Sequence, residues 1–186
     1  MSNASPSEVT SSTQVAGPTV LGPGPAAILL LVFTLYLGLY VALAGLGLHF
    51  AALYGGFLLV YYWTGPKESA PAAFLPSIVG GLTGFALAAA QYYLPLAFGT
   101  TGIAIGLGLI LFAIWLLIQG RLPTFLNPAA MLTLTVAAIP MLLTPQFLFE
   151  ATACFMVMAA FLVPLWLWLR RQGMAQAAIA DTVTST

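Results

Sequence analysis

The chain has 186 residues, 61% hydrophobic and only 4% charged, with four Lys+Arg against four Asp+Glu. A soluble domain carries roughly 25% charged residues, so most of this chain is built to avoid water. The balanced charge leaves no basic field for nucleic acid. The single cysteine, Cys154, excludes an internal disulfide, and the single histidine, His49, without an acidic cluster, gives no metal or cofactor site.

The fold class expected from this composition is all-α, a polytopic bundle of about six transmembrane helices with the lipid bilayer as its first partner. Residues 1–24 are rich in Ser, Thr, Pro and Gly and lack the basic and apolar regions of a signal peptide. They read as a disordered polar tail. Residues 25–170 form the transmembrane domain, and residues 171–186 a polar C-terminal tail, helical at most through Ala180.

Segment one runs from Pro25 to Gly45 and segment two from Gly47 to Trp63, ending in Tyr61-Tyr62-Trp63 at a membrane–water boundary. The short link between them predicts a tight antiparallel hairpin. The loop from Thr64 to Ala70 exits to water. Segment three runs from Pro71 to Tyr93, segment four from Thr101 to Gln119, segment five from Pro128 to Thr144 and segment six from Phe147 to Leu169. With six crossings and the N-terminus inside, Lys67, Arg121, Arg170 and Arg171 all fall on the inner side. That is the pattern of the positive-inside rule, and it places both termini in the cytoplasm.

Segment five departs from the pattern. Its 17 residues span about 25 Å, against a hydrocarbon core of about 30 Å. Asn127 is placed to cap its start, with Pro128 in the first helical position. Two readings stand. Either the helix begins at the interface after a proline-rich loop, or residues 122–126 enter the bilayer as irregular backbone, which is tolerated only inside protein or against a wet cavity.

The residues that could line a solute path are Asn127, Thr124, Glu150 and His49. Glu150 and His49 fall near the same outer mouth, where polar side chains facing headgroups are equally expected. Gln91 and Gln119 read as interfacial. Small residues at spacing four, Gly80 with Gly84 and Gly102 with Gly106, read as helix-packing stripes. No nucleophile–base set, phosphate-cradling glycine loop or paired acid is present, which argues against an enzyme.

Three stretches together resemble a known family: GLHFAALYGGFLLVYYWTG (Gly47 to Gly65), LPSIVGGLTGFALA (Leu75 to Ala88) and IQGRLPTFLNPAAMLTLTVAAIP (Ile118 to Pro140). In order and spacing they resemble the YcdZ-type bacterial inner-membrane proteins, a domain of unknown function, over about Gly38 to Arg170. Phe125 to Pro128 matches the family's Phe-x-Pro break with one extra residue. The resemblance implies a helical fold and an inner-membrane location, and it implies no substrate. Leu122 to Phe125 also resembles the re-entrant pore segment in one half of a urea channel. The expected function is passage of a small, mostly uncharged solute, working as a homo-oligomer. The alternative is a structural or accessory subunit of a larger membrane complex.

Overall fold

The computed structural model describes residues 23–44, 53–67, 70–140 and 142–184. Those residues are all-helical, with no strand among them. The helices are α1 (Pro23–Ala44), α2 (Tyr54–Thr64), α3 (Phe74–Ile118), α4 (Pro128–Ala137) and α5 (Pro145–Thr184), with a 3₁₀ turn at Pro71–Ala73 leading into α3. Two stretches, Pro71–Ile118 and Pro145–Gln172, are long and apolar enough to cross a membrane. Most of the predicted N-terminal tail, the link between segments one and two, and His49 lie outside the described residues.

α3 covers segments three and four together, and it reverses within itself. Gly99 has φ 58° and ψ −134°, a conformation that a Cβ forbids and glycine allows. A Cβ on Gly102 would strike the Leu94 carbonyl, and one on Gly106 would lie 3.9 Å from the Gln91 Cα. In a straight helix residues 91 and 106 would be about 22 Å apart. The two arms, residues 74–98 and 100–118, therefore form an antiparallel hairpin. Pro95 sits inside the first arm, shortly before the turn.

α5 runs antiparallel to the first arm of α3. Phe155 meets Phe85 edge-on, with ring centroids 5.7 Å apart, and Trp166 stacks on Phe74 at 5.5 Å. The same end of the bundle is held by aromatic side chains. Phe74 is wedged between Trp63, at 4.8 Å, and Trp166. Both indoles donate to the turn before α3: Trp63 Nε1 to the Ala70 carbonyl at 3.0 Å and Trp166 Nε1 to the Pro71 carbonyl at 2.8 Å. Each N–H thus has a partner, as burial requires. α2 lies along α5 so closely that a Cβ on Gly55 would strike the Ala151 carbonyl.

Two predicted boundaries are corrected. Segment five is helical only over its first 10 residues, Pro128–Ala137, because Pro140 has no N–H to continue the ladder. The chain turns instead, with Leu142 and Leu143 both donating to the Ile139 carbonyl at 2.9 and 3.0 Å. Segment six begins at Pro145, where the Thr144 hydroxyl accepts from the Phe147 N–H at 3.2 Å. Its helix continues to Thr184, past the polar residues read as a tail. That run, Met174-Ala-Gln-Ala-Ala-Ile-Ala, is made largely of strong helix formers.

Candidate functional site

The break before α4 is built by three local devices. The second arm of α3 closes in a Schellman motif: Gly120 donates to the Leu117 carbonyl and Arg121 to the Leu116 carbonyl, both at 3.0 Å, with Gly120 at φ 64°. Leu122 follows at φ 56°, an uncommon conformation for a residue with a side chain. Its carbonyl accepts from Phe125 at 2.9 Å and Leu126 at 2.8 Å, closing one turn. Asn127 then adopts extended backbone, φ −136° and ψ 173°, and α4 begins.

Asn127 is 8% exposed and uses its whole side chain. Its Oδ1 accepts from the Ala129 and Ala130 N–H groups at 2.9 and 3.2 Å, which is the cap expected from the sequence. Its Nδ2 donates across the bundle to the Pro76 carbonyl at 2.8 Å. The same nitrogen approaches the Pro123 and Thr124 carbonyls at 3.2 and 3.3 Å. One amide thus ties the break, the start of α4 and the first arm of α3 together. An amide has two donor hydrogens and two acceptor lone pairs, so nothing is left over for a solute.

The glycine stripe of the first arm is the surface that receives this unit. A Cβ on Gly80 would overlap the Asn127 amide, and one on Gly84 would strike the Ala130 carbonyl and the Thr133 Cβ. Gly102 and Gly106 act within the hairpin, letting the second arm close on Leu94 and Gln91. The sequence carried the spacing of these residues but not their partners.

A cleft of about 350 Å³ opens beside the break. Lys67, Pro76, Ser77, Pro123, Thr124 and Asn127 are among the residues that line it. Thr124 is exposed, and the buried Ser77 hydroxyl is turned back onto the Ala73 carbonyl at 2.6 Å. Lys67 sits 5.8 Å from the centre of the Tyr62 ring.

Glu150 is elsewhere. It is 6% exposed and accepts from Gln146 Nε2 at 2.8 Å, so it faces the bundle rather than headgroups. It lies level with the far half of the first arm, where Leu148 and Thr152 flank Phe85 and Ala89 in a separate groove. Asn127, level with Pro76 and Gly80, is about three turns away along that arm, roughly 15–18 Å. Asn127 and Thr124 thus share a cleft and Glu150 does not.

Gln91, expected to be interfacial, is half-buried. It lies inside the hairpin, with its Nε2 3.6 Å from where a Gly106 Cβ would be. That buried nitrogen has no hydrogen-bond partner among the described residues. Among the described residues no group of three or more His, Cys, Asp or Glu could hold a metal ion.

The class of molecule that follows is a helical protein with two stretches fit to cross a membrane. Comparison with family models, with curated proteins and with solved structures finds no match.

Proposed function

We propose that the chain is a six-crossing membrane protein, both termini cytoplasmic, that passes a small and mostly uncharged solute as a homo-oligomer. The reversal at Gly99 supports the count. It divides one apolar stretch into arms of 25 and 19 residues, about 37 and 28 Å long against a core of about 30 Å. α4, with 10 residues and about 15 Å, completes the fifth crossing only together with the non-helical residues on either side of it. The YcdZ-type resemblance stands beside this as a proposal of family and of inner-membrane location.

The observation that carries the solute reading is the cleft at the break. It pairs an exposed hydroxyl, Thr124, with irregular backbone at residues 122–127. Irregular backbone next to a cavity is the arrangement that membrane depth tolerates. The test is flux of urea, glycerol and short amides into proteoliposomes. Ala72→Trp, at an exposed position on the cleft wall, should reduce the flux, and Ile118→Trp, on the outer surface, should not. Equal flux in both variants would remove the cleft from the path.

The accessory-subunit reading has its own observation. The two most deeply buried polar groups nominated for a solute, Asn127 and Glu150, are engaged within the chain, as a static scaffold requires. Absence of flux for every solute, together with a partner co-purifying from native membranes at fixed stoichiometry, would select it.

A further inference from the structure

The end of the bundle that carries Lys67 and Arg170 has a second cleft, of about 440 Å³, lined by Pro71, Ala72, Leu75, Trp166 and Arg170. It shares Ala72 with the cleft at the break, so the two lie on either side of the turn that opens α3. We propose that this second cleft binds the headgroup of an anionic phospholipid. Its phosphate would sit on the Arg170 guanidinium and its acyl chain along Leu75.

Three observations carry the proposal. First, the floor is rigid before any ligand arrives. Trp166 is pinned by its bond to the Pro71 carbonyl at 2.8 Å and by stacking on the buried Phe74 at 5.5 Å. Second, the charge is held, and no acidic side chain lies beside it among the described residues. The Arg170 guanidinium lies 5.6 Å from the centre of the Trp166 ring, a cation–π contact that orients it over the cleft. Glu150, the one acid whose side chain is described, is 20 residues back along α5, about 30 Å away. The planar guanidinium has five N–H donors and no acceptor, which suits phosphate oxygens. Third, the wall is apolar and continuous with the lipid-facing surface, since Leu75 is 58% exposed. A cation at a bilayer surface beside an exposed leucine matches a charged headgroup with an attached chain, and a free anion would leave Leu75 unused. Basic pockets on the cytoplasmic side of helical bundles take such headgroups. Arg171 serves as the internal control, because one residue further along a helix points about 100° away and Arg171 does not line the cleft.

The experiment is thermal unfolding of the purified protein in neutral detergent, titrated with phosphatidylglycerol, phosphatidylcholine or inorganic phosphate. Phosphatidylglycerol should raise the apparent Tm saturably, and the other two should not. Arg170→Gln should weaken the apparent affinity about fivefold, as should Leu75→Gln in the same direction, while Arg171→Gln leaves it unchanged. Equal losses in Arg170→Gln and Arg171→Gln would mean a diffuse surface field and overturn the site. The same Tm rise with inorganic phosphate, or with phosphatidylcholine, would overturn the lipid assignment.

Discussion

The side chain of Asn127 occupies the space that a Cβ on Gly80 would take, and its Nδ2 bonds the Pro76 carbonyl one turn earlier on the same helix. The close approach and the hydrogen bond depend on each other. The amide reaches the carbonyl only because Gly80 leaves the helix surface bare, and the contact brings α4 against the first arm of α3.

Gly80→Ala should therefore destabilise the fold. The added methyl would sit within 2.6 Å of Asn127 Cγ, and the bonded amide has nowhere to swing. Overpacking of this kind costs about 1–3 kcal/mol, more than the roughly 0.5–1 kcal/mol that alanine returns in a helix. Thermal unfolding in detergent measures it. The shorter side chain of Asn127→Ser should relieve the clash, so the double variant should lose less than the two single losses summed. Additive losses would show that the two residues do not compete for one space.

Asn127→Asp separates the cap from the brace. Aspartate keeps an oxygen for the Ala129 and Ala130 N–H groups but has no donor for Pro76, Pro123 and Thr124. A residue that merely caps would tolerate the change. We expect a loss of about 1–3 kcal/mol, because a carboxylate then faces three carbonyls without a hydrogen between them. Unchanged stability would reduce Asn127 to a cap.

Two glycines should respond in opposite directions to alanine. Gly99 and Gly108 both have open space where a Cβ would go. Gly99 is in a glycine-only conformation, and Gly99→Ala should cost about 1–3 kcal/mol from backbone strain alone. Gly108 has ordinary helical backbone, and Gly108→Ala should be neutral or stabilising by up to about 1 kcal/mol. Equal Tm shifts in the two variants would contradict the reversal at Gly99.

Gln91→Leu should be neutral or stabilising. The amide nitrogen is buried without a partner, and an unmet donor costs about 1–3 kcal/mol that a similarly sized apolar side chain avoids. A clear drop in Tm would mean that the amide is satisfied in the folded protein after all.

Reporter fusions test the crossing count. Tags after Asn3 and Thr186 and within the loop at Glu68 should report cytoplasm, and a tag inserted at Gly99 should report the opposite side. A cytoplasmic signal at Gly99 would mean that the hairpin does not cross, and an outside signal at Thr186 alone would reduce the crossings to five.

The sequence by itself determined what depends on local chemistry. A deficit of charge required helices that satisfy their own backbone. Prolines and glycines marked the interruptions, and Asn127 could be read as a cap because the N–H groups it accepts from are its own neighbours in the chain. Tertiary structure decided everything that joins residues far apart in sequence. The Asn127 amide's second partner is 51 residues away at Pro76, and nothing in the local sequence specifies it. Spacing alone assigned Gly80 to packing without saying against what. Asn127 and Thr124 share a cleft while Glu150 lies beside a separate groove, because which residues share a cavity follows from how the helices align rather than from any one residue. Gln91 shows the same limit: its place in the chain says nothing of Gly106, which the second arm brings beside it. Local backbone preference acts over a few residues and is written in the chain. Close packing is a relation between surfaces and exists only once the helices meet.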